Sequence, residues 1–331
     1  MNVEQANKAN LDTCNGCGLC SIYCPTKAIT LVSDARGFLS PKISNKCINC
    51  NKCVEICPLK REFNLNSNEK YLIAKNKNEF EKVFSQSGGI SFVIAKKVLE
   101  QKGVFYGAVF ENGKTITKRC VSSDDIKKTR GSKYTWSDFS GSLTEVLNDL
   151  KEKRFVCFSG TPCQTHAVKC LAEKENLLDN LLLVDLICHG TTSPNFLTSY
   201  LNDKEKKEGK ISNFIFRNRI FGYGTHSETL FSKKRTFSTN EFKLFYYSKL
   251  GFRENCFSCK FTTLKRGSDI TIGDAWNIAD SFPEFKSDEL GISLVITHNE
   301  KGEKFIDMIK NNINFINIDL KKYKLQDALI N

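Results

Sequence analysis

The chain has 331 residues, of which 40% are hydrophobic and 26% charged, with 15 cysteines and a formal net charge of +12. These proportions are ordinary for a soluble chain of one or two domains, and the longest apolar candidate for a membrane span, Leu181 to Cys188, is short and broken by Asp185. The lysines are scattered among acidic residues (Lys96 and Lys97, Lys127 and Lys128, Lys206 and Lys207, Lys233 and Lys234), which reads as solvated helix faces and weighs against nucleic acid.

The first sixty residues carry a repeat. Cys14-Asn-Gly-Cys17-Gly-Leu-Cys20-Ser-Ile-Tyr-Cys24-Pro25 is followed by Cys47-Ile-Asn-Cys50-Asn-Lys-Cys53-Val-Glu-Ile-Cys57-Pro58. Each half is C-x2-C-x2-C-x3-C-P, the run that ligates cubane iron–sulfur clusters in two-cluster bacterial ferredoxins. Three thiolates on a tight loop wrap three irons of one cubane, and the fourth, turned away before its proline, completes the other. The spacing therefore assigns Cys14, Cys17, Cys20 and Cys57 to a first 4Fe-4S cluster, and Cys24, Cys47, Cys50 and Cys53 to a second. Zinc also favours C-x2-C pairs, but it requires neither the third cysteine nor the fourth with its proline, still less their repetition. Metal rather than disulfides, behind a polar start without an apolar signal segment, leads to the expectation of a reducing, cytoplasmic setting. Bound clusters carry negative charge that offsets part of the +12.

Between the halves, Ala28 to Val32, the turn Asp34-Ala-Arg-Gly37 and Phe38 read as a strand, a turn and a returning strand. Residues 61–70 are polar and rich in Asn, and read as a linker between a cluster module (1–62) and a second domain (71–331). From Tyr71 the pattern alternates. Tyr71 to Ala74 is a short strand, and Ser87-Gly88-Gly89 opens a helix with Ile90, Val93, Ile94 and Val98 on one face. Val104 to Phe110 and Thr115 to Val121 form a hairpin across Glu111-Asn112-Gly113-Lys114. A helix over Leu143 to Lys153 precedes a buried strand, Phe155 to Phe158, which runs into Gly160-Thr161-Pro162-Cys163 and a further helix. A second buried strand, Leu181 to Ile187, ends in Cys188-His189-Gly190. Ile211 to Phe216, Asp269 to Ile272 and Ile292 to Thr297 are further strands, with helices near 194–207, 240–249 and 301–310. The expected fold class is α+β or α/β, a ferredoxin-like module followed by a mixed-sheet α/β domain.

Ligands of open α/β sheets sit beyond the carboxyl ends of the strands. Cys163 and Cys188 occupy that position after two buried strands, and Cys256-Phe-Ser-Cys259 adds a bidentate spacing. These four make either a third four-thiolate site or scattered buried cysteines, which pack as small hydrophobes. Cys120, Cys157 and Cys170 fall within two strands and a helix, where packing is the expected role. The Ser87-Gly88-Gly89 helix start offers amides to an anion. No Walker loop and no strand-embedded G-x-G-x-x-G is present.

Taken in order, Ser87-Gly-Gly89, Gly131-Ser-Lys-Tyr134, Phe158-Ser-Gly-Thr-Pro-Cys-Gln164, Asp185-Leu-Ile-Cys-His-Gly190, Phe216-Arg-Asn-Arg219, Cys256-Phe-Ser-Cys259 and Gly273-Asp-Ala-Trp276 resemble the coenzyme F420 hydrogenase/dehydrogenase beta-subunit family. The resemblance implies an iron–sulfur flavoprotein oxidoreductase in which FAD sits near a cluster and exchanges a hydride with a deazaflavin or another two-electron partner. It implies a third 4Fe-4S cluster on Cys163, Cys188, Cys256 and Cys259. It also implies a flavin pocket lined by the loops of Ser87, Gly88, Gly89, Ser132, Lys133, Tyr134, Gly160, Thr161 and Asp274. The expected partner is a redox protein or a small electron carrier. The rival reading is a non-enzymatic electron-transfer adaptor without flavin.

Overall fold

The computed structural model describes residues 14–62, 69–222, 227–276, 278–283 and 291–319. Most of the expected linker, and His226, lie outside the described residues. In the cysteine-rich part, Ile29–Ser33 (β1) and Leu39–Ile43 (β2) pair antiparallel. The Asp34 carboxylate closes their turn by accepting from the amides of Arg36 (2.9 Å) and Phe38 (2.8 Å), a local bond of the kind short acidic side chains make in turns.

The main sheet has eight strands: Lys70–Asn76 (β3), Val104–Glu111 (β4), Lys114–Cys120 (β5), Val156–Gly160 (β6), Leu181–Leu186 (β7), and three near the C-terminus. A separate three-stranded sheet, Ile211–Ile215 (β8), Glu228–Ser232 (β9) and Thr236–Thr239 (β10), is inserted before those three: Ile270–Asp274 (β11), Ser293–Thr297 (β12) and Ile313–Asn317 (β13). The order in the large sheet is β13-β3-β12-β11-β7-β6-β4-β5. β4, β6, β7 and β11 run parallel, and antiparallel strands flank them on both sides. The carboxyl ends of β6, β7 and β11 therefore open side by side at one edge, where a ligand can meet loops from three strands.

Alternation along the strands feeds two cores. Val156 and Phe158 of β6, with Leu181 and Leu183 of β7, face the helices Ser140–Lys151 and Pro162–Lys174. Cys157, Leu182 and Val184 face the helices Ile90–Glu100 and Glu300–Ile309. Both faces of these strands are covered, which is why they read as unbroken apolar runs. Leu19, Phe38 and Ile56 of the cysteine-rich part join the first of these cores, so the two parts share packing. The β4–β5 hairpin turns on Asn112 (φ 51°) and Gly113 (φ 74°), the two left-handed residues a tight two-residue hairpin needs. Among the described residues no helix is long and apolar enough to cross a membrane.

Asp149 locks this hairpin to the helix beside it. Its buried carboxylate accepts from Tyr106 Oη (2.6 Å) and from Arg119 Nε and Nη2 (both 2.8 Å). Burial by itself would raise its pKa, but the bonds from Arg119 and Tyr106 outweigh burial and hold it below the ordinary carboxylate value. The stability this group contributes is complete above its unfolded value of about 4 and is lost as pH falls through the lower folded value. Asp149→Ala is expected to cost about 3–5 kcal/mol, the range for breaking a buried pair. Denaturant unfolding at neutral pH measures that cost, and the difference from wild type should shrink towards the acid end.

Candidate functional site

The two cysteine loops repeat in backbone as well as in sequence. Gly16 and Gly18 have φ of 72° and 85°, and the residues at the same places in the second loop, Asn49 and Asn51, have φ of 56° and 58°. Glycine and asparagine are the residues that adopt this left-handed form at least cost. Gly16 is further constrained, because a Cβ there would lie 2.7 Å from Leu39 O. The Gly16 amide donates to Cys14 Sγ at 3.3 Å.

All eight cysteines of the repeat line one open cavity. Within it they fall into two groups. Burial pushes the Cys17 thiol well up, and Cys20, Cys14 and Cys57 push it further; Cys20 is raised to about 12 by burial, then by Cys14, Cys57 and Cys53. Cys57 is raised by burial and by Cys14. On the other side Cys24 forms a small apolar cluster with Ala28 and Ile29, against which Cys47 and Cys53 pack, as does Cys20 from the first loop, and Cys53 is raised by burial and by Cys47 and Cys50. Thus Cys57 faces the loop of the other half, as does Cys24. Four thiols that oppose one another's ionisation form a donor set that bound cations neutralise, which fits iron. Among the described residues no three His, Cys, Asp or Glu converge on a point that would hold a single metal ion; a cubane does not ask for that, since each thiolate binds a different iron.

Beyond the sheet, the structure brings Cys163, Cys188, Cys256 and Cys259 together. Cys163 lies in the first turn of the helix Pro162–Lys174, directly after β6. Cys188 follows β7, and Cys256 ends the short turn Glu254–Cys256. Cys163 is pushed up to about 12 by burial, then by Cys259 and Cys256, with the Thr161 hydroxyl 3.3 Å from its sulfur opposing the rise. Cys188 is raised by burial and by Cys256, Cys163 and Cys259. The Gly190 amide donates to Cys188 Sγ (3.4 Å), and a Cβ on Gly190 would enter the Phe252 ring. Cys120, Cys157 and Cys170 are fully buried within the apolar cores.

Three contacts tie the third group to the first. Asn15 Nδ2 donates to Cys163 O (3.0 Å). Arg253 reaches Cys14 O, and Lys260 Nζ donates to Pro58 O (3.0 Å), Leu59 O (3.2 Å) and Arg61 O (3.1 Å). The Cys256–Cys259 loop is thus flanked by two cations, Arg253 gripping the loop of Cys14 and Lys260 the segment after Cys57.

The residues expected at a flavin divide in two. Ser87 (φ 55°) lies with its hydroxyl 2.8 Å from Ile292 O and 3.0 Å from Gly273 O, and accepts from Ser293 Oγ; the Gly88 amide donates to Ser293 Oγ at 2.9 Å. A Cβ on Gly88 would lie 2.2 Å from Ala74 O. Ser87, Gly88 and Gly89 accordingly knot the ends of β3, β11 and β12 together. Lys133 Nζ donates to Lys128 O (3.1 Å), Arg130 O (2.7 Å) and Gly131 O (3.1 Å) at the end of the helix Ser123–Lys128. Burial lowers its pKa to about 7, although three carbonyl acceptors favour the ammonium. Gly160 leaves room for Gln164, whose Oε1 accepts from the Thr161 amide (3.0 Å) while Nε2 donates to Ser137 O (3.0 Å).

Asp274 and Tyr134 come together with groups that the sequence reading left without a role. Asp274 Oδ2 accepts from buried Arg217 Nη1 at 2.8 Å, and the Arg217 guanidinium lies 5.2 Å from the Trp276 ring centroid. Tyr134 stands 4.6 Å from Tyr246, and its pKa is raised by burial against the nearby Arg217, while Ser132 bonds to it. Tyr247 is raised to about 12 by burial, then by Tyr134 against Arg217. Tyr246 Oη donates to Gly190 O (3.4 Å), which sets this aromatic and charged wall beside Cys188. The runs Phe216-Arg-Asn-Arg219 and Gly273-Asp-Ala-Trp276 were the available signals for Arg217 and Trp276.

The family described as the C terminus of the coenzyme F420 hydrogenase/dehydrogenase beta chain matches residues 153–321, just over half of this sequence. A 4Fe-4S dicluster domain matches residues 6–62 and bears out the iron–sulfur reading of the cysteine repeat. A curated relative, one of the subunits making up the F420H2 dehydrogenase of Methanosarcina mazei, is 29% identical over 193 residues, 54% of this chain and 53% of its own length. The chain thus spans about half of that relative. A chain of the F420-reducing NiFe hydrogenase complex from Methanosarcina barkeri shares the fold, with a TM-score of 0.53, 16% identity, and coverage of 78% of this chain and 87% of that one.

Proposed function

The chain belongs to the coenzyme F420 hydrogenase/dehydrogenase beta-subunit family, and from that premise we propose that it is an iron–sulfur flavoprotein oxidoreductase. It would relay electrons between two 4Fe-4S clusters, a third one and FAD, and the flavin would exchange a hydride with coenzyme F420 or another two-electron partner. When bound, the clusters supply one-electron steps and the flavin supplies hydride chemistry. Everything else falls to the residues. Cys14, Cys17, Cys20 and Cys57 hold the inner cluster of the repeat, and Cys24, Cys47, Cys50 and Cys53 the outer one. Cys163, Cys188, Cys256 and Cys259 hold the third. The observation that carries this reading is the mutual closeness of those last four thiols at the carboxyl ends of β6 and β7, joined by Asn15 and Arg253 to the loop of Cys14.

The wall of Tyr134, Arg217, Tyr246, Tyr247, Asp274 and Trp276 supports a flavin or substrate place next to the third cluster. Arg217, ion-paired to Asp274, brings to that wall a guanidinium, the group suited to recognising a phosphate. The rival reading, an adaptor without flavin, draws support from Ser87 and Gly88, whose hydroxyl and amide are engaged inside the protein and not turned to a diphosphate.

Bound flavin per chain discriminates the two. The wild type, reconstituted anaerobically, should retain FAD, and Gly160→Val should lose most of it. A Cβ at Gly160 would lie 2.8 Å from Gln164 Oε1 and 3.0 Å from the Phe158 ring, so valine displaces the Gln164 cap and the loop leading to Cys163. A Gly160→Val protein that retains flavin as the wild type does would remove this loop from the binding site.

A further inference from the structure

One buried guanidinium stands between the cavity of the repeat and the third four-cysteine site. Arg253 is 7% exposed. Its Nε donates to Cys14 O and its Nη2 to Leu39 O, both at 2.6 Å. The head group lies 5.1 Å from the Phe38 ring centroid and 5.6 Å from that of Trp136, and the Arg253 carbonyl accepts from the Cys256 amide at 2.9 Å. Two rings and two carbonyls leave this side chain a single placement. The remaining nitrogen, Nη1, is buried and has no acceptor among the described residues. It lies against Gly16, inside the Cys14–Cys17 loop, where a Cβ on the glycine would come within 3.1 Å of it. Buried N–H groups are rarely left unpaired, and the acceptors that belong at this place are the sulfurs of a cluster.

We infer that Arg253 joins two redox centres electrostatically: its Nη1 donates to a sulfur of the Cys14, Cys17, Cys20 and Cys57 cluster, while its charge acts on the Cys163, Cys188, Cys256 and Cys259 site as well. The inference rests on the iron–sulfur reading of both sites. A reduced cluster is more negative than an oxidised one, so a donor and a fixed cation favour reduction and raise the potential. Its side chain holds Cys14 O while its own carbonyl accepts from the Cys256 amide, which places the guanidinium between the two cysteine groups. With Lys260 on the far side of the same loop holding Pro58 and Leu59, the first cluster of the repeat becomes the inner station of the relay. The second, with Cys50 and Ile48 exposed, becomes its outer terminal. Arg253 is a positioning and tuning residue in this account.

The test begins with the wild-type full chain, its clusters reconstituted and its arginines labelled with 15N. Pulsed paramagnetic resonance of the reduced first cluster should show a coupling to an arginine nitrogen, and the absence of that coupling overturns the inference whether or not any variant folds. Redox titration then compares Arg253→Gln and Arg253→Lys at matched iron content. Arg253→Gln should lower the potential of the first cluster and leave that of the outer one unchanged, and Arg253→Lys should recover part of the loss. Equal potentials in wild type and Arg253→Gln would refute it. An iron content of about eight per chain in the wild type, at four per cubane, would end the third-cluster reading, yet the nitrogen coupling to the first cluster would still decide the role of Nη1.

Discussion

The Cys256→Ser protein is expected to hold about four irons fewer than the wild type, about eight against about twelve, at four irons per cubane. Cys256 is where the third site is most vulnerable. Its neighbours Cys163 and Cys188 sit on ends of buried strands and a helix, whereas Cys256 and Cys259 come on a loop that depends on Arg253 and Lys260 for its place. A serine oxygen keeps the shape of that loop and removes the soft ligand, so folding is spared while the cubane loses a corner. The two clusters of the repeat, held by other loops, should remain and show their interaction when both are reduced. The paired change Cys157→Ala with Cys170→Ala serves as control. Both thiols are buried in apolar cores, so the double variant should lose stability and no iron. Unchanged iron in Cys256→Ser would mean that the third group of cysteines holds no cluster.

Cys57→Ala should damage the cluster on the loop of Cys14, Cys17 and Cys20 and spare the one on the loop of Cys47, Cys50 and Cys53, although the latter is its neighbour in sequence. The reason is in the placement: Cys57 acts on Cys17 and Cys20, while Cys24 belongs to the small cluster against which Cys47 and Cys53 pack. The resonance of the surviving centre reads the outcome. Cys57→Ala and Cys14→Ala should leave one and the same spectrum, and Cys24→Ala and Cys47→Ala the other. Should Cys57→Ala match Cys47→Ala instead, each loop would hold a cluster with its own fourth cysteine, and the crossed assignment would be wrong.

What could be read in the sequence was whatever depended on short spacing. The cysteine repeat names its own chemistry, because ligands three and four residues apart have little freedom. The β4–β5 hairpin followed from Asn112-Gly113, and β6 and β7 from apolar runs that need cover on both faces. The small sheet was only a third visible. β8 carries Phe214, but β9 and β10 are short and mix Ser, Thr, Lys and Arg with their apolar residues, so the alternation is diluted. Pairings across long separations were illegible for another reason. Asp274 was singled out from its motif, yet its partner Arg217 lies 57 residues away, and nothing local links them. Arg253 reaches 239 residues back to Cys14. Lys133 shows the reverse difficulty: a lysine beside a glycine-rich turn looks available for a phosphate, whereas here it closes the end of the helix before it. In the same way Ser87 and Gly88 have the composition of an anion-binding turn and spend it on holding strand ends together.

The central claim is that the clusters exchange electrons with a flavin in this chain, and flavin bound by the wild-type chain tests it most directly. The protein is reconstituted anaerobically with iron, sulfide and FAD, freed of unbound cofactor, and assayed for iron and flavin before a reductive titration. The account predicts about one FAD and, at four irons per cubane, about twelve irons per chain, with the flavin absorbance bleaching as the clusters accept electrons. A chain that fills its clusters and retains no FAD would contradict it, and the protein would then be an electron-transfer adaptor.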